Sequence, residues 1–177
     1  MRCLSPRRAL VSIRPEMKSM SDIFKRLEDL GVDTITTEHE AVYTVEEAKA
    51  ARGDMIGAHS KNLFLKDKKQ RLWLVVCLED RAVDMKDLRH RIGAGNLSFG
   101  KPDLLMEILG IEPGSVSPFA LINDEQVQVN VVLDQEMMAA EFLNFHPLEN
   151  TRTTRISPDG LRQFIGSCGH DPQIVQL

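Results

Sequence analysis

HSKNLFLKDKKQRLWLVVCL, residues 59–78, is the stretch that decides the fold of this chain. Apolar residues crowd into two short runs, 62–65 and 72–78, and the charged residues 66–71 lie between them. Short runs rich in aliphatic and β-branched residues on either side of a polar turn are typical of a β-hairpin. The sequence therefore predicts two adjacent antiparallel strands here, the clearest sign of a sheet in the chain.

Helices are predicted on both sides of this hairpin, because capping residues and helix stops flank several apolar patterns of helical spacing. The expected helices are 21–30, stopped by Gly31; one opened by the capping box Thr44-x-x-Glu47; 84–92, capped by Asp84 and stopped by Gly93; 102–109, opened by Pro102 and stopped by Gly110; and 158–167, capped by Ser157.

Further strands are predicted over 32–37, 119–122, 127–133 and 173–175. The second and third are expected to join through a turn at Asn123 and Asp124, and alternation in 127–133 predicts a strand with one buried face. Strands interspersed irregularly with helices indicate a mixed α/β or α+β domain around a largely antiparallel sheet.

The composition limits the size and the partners of this domain. A chain of 177 residues with 42% hydrophobic content is long enough for one buried core. Its formal net charge of −4 argues against a broad basic surface for DNA or long RNA, so that any RNA contact is expected to be local. No apolar run approaches the roughly 20 residues that cross a bilayer. Three scattered cysteines without a C-x-x-C pair fit a reducing, cytoplasmic setting.

Four sequence blocks resemble the YbaK/ProX family of prolyl-tRNA editing domains. They are the lysine-bearing segment 59–69 with 73–76, the segment 97–100, the segment 109–124 around Gly114, and the histidine-bearing segment 144–154 with the closing motif 169–172. The resemblance runs from about residue 21 to the end of the chain. Residues 1–20 have no counterpart in the family and are treated as an N-terminal extension to a single domain, 21–177.

This resemblance implies a hydrolase that cleaves the ester between a wrong amino acid and the terminal adenosine of transfer RNA. The segment around Lys61 and the GSV-x-PF segment look most similar to the free-standing ProX group, which clears alanine from tRNA(Pro). The implied partner is therefore the acceptor end of mischarged tRNA(Pro), with prolyl-tRNA synthetase or an elongation factor as candidate protein partners.

The family's functional positions fall on Lys61, Asn62, Gly114 and His146 in this sequence. Lys61 is expected to contact the 3′-terminal phosphate or the ester, and Ser60 and Asn62 are expected to bind substrate. Gly114 and Ser115 form a turn that can present backbone N–H groups to the reacting carbonyl. His146 is expected to orient water or a ribose hydroxyl.

An aminoacyl ester is already activated, so its hydrolysis needs an oriented water and a stabilised oxyanion more than a protein nucleophile. The sequence has no G-x-S-x-G elbow, no H-E-x-x-H motif and no cysteine-histidine cluster. We therefore expect hydrolysis without a metal or cofactor, with the 2′-hydroxyl of the terminal ribose helping to activate water. A catalytic role for Cys77 is disfavoured, because it lies in an apolar strand.

Two alternatives stay open at the level of sequence. The chain can deacylate a different residue, such as cysteine or serine, because the width of the pocket depends on side chains that the sequence does not place. It can also be a non-catalytic module that binds charged tRNA or a synthetase, although the presence of Lys61, Gly114 and His146 argues against that role.

Overall fold

The structure is a computed structural model that describes residues 16–41, 50 and 55–177. The predicted helix at Thr44 and Glu47 lies outside these residues. At the described end of the N-terminal extension, the amide N of Lys18 donates to Asn123 Oδ1 at 2.6 Å, so this part of the extension lies against the domain.

The predicted hairpin is confirmed. Strands β2 (Ala58–Asp67) and β3 (Leu72–Leu78) pair in antiparallel fashion from Ser60 opposite Leu78 to Lys66 opposite Leu72. The buried carboxylate of Asp67 organises the turn, since it accepts hydrogen bonds from the backbone N of Lys69 and of Arg71 and from Arg71 Nε. A charged residue inside the turn thus fixes the register of the hairpin.

The described strands form one mixed sheet in the order β1-β7-β6-β2-β3-β5-β8, with β4 beside β2. Four of its pairings are antiparallel, and the pairs β2–β6, β3–β5 and β5–β8 are parallel. The remaining strands are β1 (Thr34–Glu38), β4 (Leu97–Phe99), β5 (Val129–Asp134), β6 (Leu143–Phe145), β7 (Arg152–Ile156) and β8 (Gln173–Val175).

The described helices agree closely with the predicted ones, because their starts and stops are local. Asp84 caps its helix by accepting from the backbone N of Lys86 and of Asp87, and Gly93 ends that helix at φ 68°. Ser157 likewise caps the last helix. The four are α1 (Met20–Asp29), α2 (Met85–Ile92), α3 (Pro102–Leu109) and α4 (Pro158–Ser167).

Successive side chains of β3 enter two different hydrophobic clusters, so both faces of the sheet are covered. Leu74 and Val76 belong to a large cluster with α1, α3 and α4. Trp73 and Val75 belong to a smaller cluster with Leu88 and Ile92 of α2. The sheet is therefore a central layer between α2 on one side and the other described helices on the opposite side.

The predicted strand over 119–122 is wrong, because this segment is a 3-10 helix, Pro118–Asn123. Pro118 suits the first helical turn, and Ser117 Oγ accepts a hydrogen bond from the backbone N of Phe119. A second 3-10 helix spans Met137–Ala139.

The strand predicted from residue 127 begins only at Val129, since Val127 has a positive φ of 53° in the preceding turn. The prediction that only one face of this strand is buried is also wrong. Val131 packs in the large cluster and Val132 in the small one, so that the strand is buried on both faces. β5 lies between β3 and β8 in the sheet, and such an inner strand has both faces covered.

Candidate functional site

One edge of β2 changes neighbours halfway along its length. Ala58 and His59 pair with β6, whereas the residues from Leu65 to Asp67 pair with β4. Between these pairings no described strand lies beside residues 60–64, and we call this opening the sheet gap. The bonds from Glu79 N to His59 O and from Asp67 N to Arg71 O show that odd-numbered residues of β2 bond to β3. The backbone N–H and C=O of Asn62 therefore point into the gap.

Two of the predicted site residues lie just past the end of the pairing between β2 and β6. His59 and Asn144 are the last paired residues of the parallel strands β2 and β6. Two residues further along each chain lie Lys61 and His146. Because parallel neighbours advance in the same direction, both residues leave the pairing at the same end, beside the gap.

Lys61 and Asn62 lie on opposite faces of the sheet, as neighbours on a strand do. Lys61 is on the face of Leu65 and α2, and its Nζ donates to the backbone carbonyl of Arg81. Asn62 is on the face of Phe64 and the large cluster. A single ligand can meet both side chains only through the gap.

Asn62 carries an unsatisfied acceptor. Its Oδ1 is buried and has no hydrogen-bond partner among the described residues. A buried polar atom without a partner costs about 1–3 kcal/mol, so a donor from a bound ligand would offset this cost. The observation supports Asn62 as a substrate-binding residue.

Asn144, the first residue of the histidine-bearing segment 144–154, joins β6 to β2. The sequence did not predict a role for it. Its backbone carbonyl accepts from Ser60 Oγ at 3.3 Å, and its Nδ2 donates to Ile56 O at 3.2 Å. The side chain is 3% exposed, and its Oδ1 has no hydrogen-bond partner among the described residues. No local pattern marks Asn144, because its partners lie more than 80 residues away.

His146 is held in one tautomer. Its Nδ1 donates to the backbone carbonyl of Arg152 at 2.7 Å, which leaves the lone pair on Nε2. Burial lowers the pKa of His146 below its ordinary value of 6.5, against the opposing effect of the bond to Arg152. The ring of His39 lies 5.9 Å away and also disfavours protonation of His146. A neutral imidazole can accept a proton from water or from a ribose hydroxyl.

Gly114 lies in an exposed turn after α3 with a φ of 95°, a conformation that favours glycine. A Cβ built at this position would meet no atom within 4 Å. The backbone N of Ser115 donates to Glu112 O at 3.2 Å, so this predicted oxyanion donor is already engaged. The backbone N of Gly114 donates to no described residue and is the more accessible of the two.

The segment after this turn contacts the chain next to His146. Phe119 packs edge-on against Phe145 with ring centroids 6.0 Å apart. The hydrogen bonds of Lys61, His146 and the Gly114 turn nevertheless run to different neighbours. Lys61 and His146 thus follow two strands that part at the gap, whereas the Gly114 turn is linked to this region only through the Phe119–Phe145 contact.

A cavity of about 550 Å³ lies next to Lys61 on the α2 side, with His59, Arg81 and Glu136 in its lining. Lys61, Gly114 and His146 do not line it. Arg81 is held there by ion pairs with Glu136 and with the buried Asp134, the latter at 3.3 Å. Because none of Lys61, Gly114 and His146 lines it, this cavity is not the site that the sequence predicts.

Cys77, the cross-strand neighbour of Lys61, is fully buried. Burial raises the pKa of the Cys77 thiol to about 11, so it stays neutral. Among residues 16–41, 50 and 55–177, no helix combines the length and apolar character that crossing a membrane requires.

Comparison with known proteins shows what this chain resembles. The sequence model of the aminoacyl-tRNA editing domain matches residues 39–164. Prolyl-tRNA synthetase associated domain-containing protein 1 from Bos taurus is 40% identical over 158 residues, covering 86% of this chain and 92% of that protein. Prolyl-tRNA editing protein ProX from Acetoanaerobium sticklandii is 32% identical over 163 residues, covering 92% and 99% respectively.

A crystal structure of a proposed trans-editing enzyme for prolyl-tRNA synthetase superposes with a TM-score of 0.63 at 16% identity. The match covers 92% of this chain and 99% of that chain. At this identity the likeness shows a shared fold, a mixed sheet flanked by helices.

Proposed function

Because this chain belongs to the aminoacyl-tRNA editing domain family, of YbaK/ProX type, we propose that it is a trans-editing deacylase that hydrolyses mischarged tRNA(Pro). Alanine is the amino acid we expect it to remove. The likeness to the prolyl-tRNA editing protein ProX extends over nearly the whole of both chains and supports this substrate class. The observation that supports the proposal is that Lys61 and His146 each follow the end of the β2–β6 pairing by two residues, beside the sheet gap.

The reaction is the addition of water to the ester carbonyl, followed by loss of the 3′-oxygen of the ribose. The water oxygen bonds to the carbonyl carbon, the ester C–O bond breaks, and a proton passes to the departing 3′-oxygen. The products are free amino acid and deacylated tRNA. The ester is already activated, so that the protein needs to orient water and stabilise the oxyanion.

Each site residue has one role in this scheme. His146 accepts a proton at Nε2 from water or from the 2′-hydroxyl of the terminal ribose, since its Nδ1 is committed to Arg152. Lys61 leaves the carbonyl of Arg81 to meet the terminal phosphate or the ester oxygen. Asn62 Oδ1 accepts from the α-ammonium of the amino acid or from a ribose hydroxyl.

The Gly114 turn supplies the oxyanion donor. Its free backbone N–H and the open space around its Cα allow a carbonyl to approach closely. The backbone N–H of Ser115 can act as a second donor to the oxyanion only when its hydrogen bond to the carbonyl of Glu112 is broken. Ser60 supports the site indirectly by holding the carbonyl of Asn144, which fixes the end of β6 beside the gap.

Alanine, serine and cysteine differ by one atom in the side chain, and such a difference is worth only about 1–3 kcal/mol in a binding pocket. Deacylation of cysteinyl- or seryl-tRNA is therefore the nearest alternative within this class. Proline is excluded by the size and rigidity of its ring in a pocket for small residues. We expect no metal or cofactor in the reaction, and treatment with a chelator should leave the rate unchanged.

A non-catalytic module that binds tRNA or a synthetase is the second candidate. The animal relatives are named only as synthetase-associated domain proteins, and that naming favours it. Prolyl-tRNA synthetase or an elongation factor would deliver the substrate in either case, and we expect the protein to act in the cytoplasm. A binding module needs no buried histidine with a lowered pKa, which is why we prefer the hydrolase.

The deciding experiment measures release of amino acid from alanyl-, cysteinyl-, seryl- and prolyl-tRNA(Pro) by the full chain. We expect hydrolysis of alanyl-tRNA(Pro) and protection of prolyl-tRNA(Pro). Faster release of cysteine or serine would reassign the substrate, and tight binding of all four without hydrolysis would establish the binding module. Cleavage at the full rate of a substrate that ends in 2′-deoxyadenosine would show that the 2′-hydroxyl takes no part in the reaction.

A further inference from the structure

Two segments that meet at β4 are basic, although the chain as a whole is acidic. The whole chain has 22 Lys and Arg against 26 Asp and Glu. Residues 61–71 contain five Lys or Arg and one Asp, and residues 89–101 contain three Lys or Arg and no acidic residue. The first segment holds most of β2 and the hairpin turn, and the second holds β4, which pairs with β2. We call these two segments the β4 edge.

Phe99 stands exposed on this edge. Its side chain is 67% exposed, the highest value among the large hydrophobic residues that are exposed in the described parts of the chain. Its neighbours hold its backbone firmly, because Phe99 pairs with Leu65 and the backbone N of Gly100 donates to Phe64 O at 2.9 Å. A Cβ on Gly100 would lie 2.3 Å from the Phe64 ring, so only glycine allows this close approach. The ring is presented by a fixed strand rather than by a loose loop.

Phe99 and Lys61 share one face of the sheet. Leu65 pairs with Phe99, and paired residues project to the same side. Lys61 lies four residues before Leu65 on β2 and therefore projects to that side too. The distance along the strand is roughly 13 Å at about 3.3 Å per residue. Stacked nucleotides rise about 3.4 Å each, so that a few unpaired nucleotides span it.

We propose that Phe99 is a base-stacking residue for the unpaired 3′ end of the tRNA, and that Lys101 and the turn lysines Lys68 and Lys69 bind the phosphates beside it. This assignment rests on the proposed function and extends it from the ester to the RNA that carries it. Single-stranded bases stack on exposed aromatic rings whatever their sequence, and positive charge along the strand attracts the backbone. An acidic protein thereby holds RNA through one local surface.

The charge of the β4 edge favours RNA over a protein partner. The cores of protein interfaces are depleted in lysine, whereas the exposed Lys68, Lys69 and Lys101 lie on this edge. Phe99 is also the only exposed large hydrophobic residue among the described residues 61–101, and one side chain is far from an apolar interface. An aromatic ring among cations is instead the usual arrangement for single-stranded nucleic acid.

The test uses two measurements on Phe99→Ala, Phe99→Leu and Phe99→Trp proteins. One is KM and kcat for deacylation of the substrate that the parent cleaves. The other is binding of an uncharged RNA minihelix that carries 2-aminopurine at each unpaired 3′ position in turn, since stacking quenches its fluorescence. Ile174→Ala is the matched control, because Ile174 is also an exposed apolar residue, 43% exposed, on the short strand β8 at the far end of the sheet.

We expect Phe99→Ala and Phe99→Leu to raise KM and the RNA dissociation constant about tenfold, with kcat within about twofold of the parent. Phe99→Trp should bind at least as tightly as the parent, and Ile174→Ala should match it. Lys101→Ala should lower the salt dependence of RNA binding, whereas Phe99→Ala should not. Because Phe99 is exposed, these variants should fold as the parent does, and thermal unfolding of each variant checks this.

Equal KM for Phe99→Ala and the parent, or full RNA binding by Phe99→Leu, would overturn the stacking assignment while leaving the hydrolase intact. A parent protein that cleaves no charged tRNA but quenches 2-aminopurine through Phe99 would overturn the proposed function alone. Unchanged RNA binding together with lost capture of purified prolyl-tRNA synthetase by Phe99→Ala would make this surface a protein contact and reject the proposal.

Discussion

Ser60 donates from Oγ to the backbone carbonyl of Asn144 at 3.3 Å, and this bond joins β2 to β6 at the point where their pairing stops. The two residues are 84 positions apart in the chain. Just beyond them the strands part, with Lys61 on one side of the opening and His146 on the other. The site proposed for this family member therefore depends on a short parallel contact between distant segments.

Replacement of Lys61 by alanine should lower kcat/KM for deacylation by about 100-fold, because the proposed site loses its cation at the ester or phosphate. The bond to Arg81 O is a modest stabilising contact of about 1 kcal/mol, so that the variant should fold. Release of amino acid under single-turnover conditions measures the effect. Cys77→Ala, on the neighbouring strand, is the control and should keep full activity. Unimpaired hydrolysis by Lys61→Ala would remove Lys61 from the site.

Replacement of Gly114 by alanine should lower kcat at least tenfold, because the positive φ of the turn is strained with a Cβ and the N–H loses its alignment. The free energy of unfolding should fall by only about 1–2 kcal/mol, since no atom lies near the new methyl group. Gly31→Ala is the matched control, with a φ of 67° and equally open space. It should lose similar stability in chemical denaturation and retain activity. Equal activity of both variants would exclude the Gly114 turn from catalysis.

The acid limb of kcat/KM against pH should lie below pH 6.5. Burial lowers the pKa of His146 from that ordinary value, so that more than half of the imidazole is neutral at pH 6.5 and the loss of its neutral form falls at lower pH. The same shift disfavours the protonated folded state, and stability should decline as the pH drops below 6.5. A His146→Asn protein should lose most of its activity, and its remaining kcat/KM should no longer fall at acid pH. A limb centred above pH 6.5, or one that survives the substitution, would contradict this role.

Acid should destabilise the hairpin through Asp67. Burial acts to raise the pKa of Asp67, but hydrogen bonds from the backbone of Gly95, Arg71 and Lys69 and from the Arg71 side chain outweigh it and lower the pKa to about 2. The stabilisation that the charged Asp67 gives the folded state is fully present above pH 3.8, the pKa of Asp in the unfolded chain. It is lost as the pH falls from there through about 2.

This shift is worth about 2 kcal/mol at neutral pH, as an order of magnitude. In urea unfolding, Asp67→Asn should therefore be less stable than the parent at neutral pH and nearly equal to it near pH 2. The exposed Glu141→Gln is the control and should match the parent at neutral pH. An equal loss for Asp67→Asn at both pH values would show that shape, rather than charge, stabilises the turn.

The elements that the sequence predicted well have local signals. Asp84 and Gly93 bound α2, and Ser157 caps α4, because a cap acts within three or four residues of itself. The apolar run 119–122 was misjudged, since four apolar residues fit a strand or a buried helical turn equally well. Ser117 and Pro118 carried the helical signal in this case.

The short strands β6 and β7 were not predicted from the sequence. β6 has three residues and is a strand because β2 and β7 lie on either side of it. Asn144 was missed for the same reason, since its importance comes from Ser60, Ile56 and Ala58 rather than from its neighbours in sequence.

The sequence by itself determined the hairpin, the caps of α2 and α4 and the family, because alternation, capping and motif order are properties of neighbouring residues. Only the tertiary structure decided that Lys61 and His146 both follow strands that part at an opening in the sheet, that Asn62 faces away from Lys61, and that Phe99 is exposed. These relations depend on which distant strands pair, and pairing is selected by the packing of the whole core rather than by any local stretch.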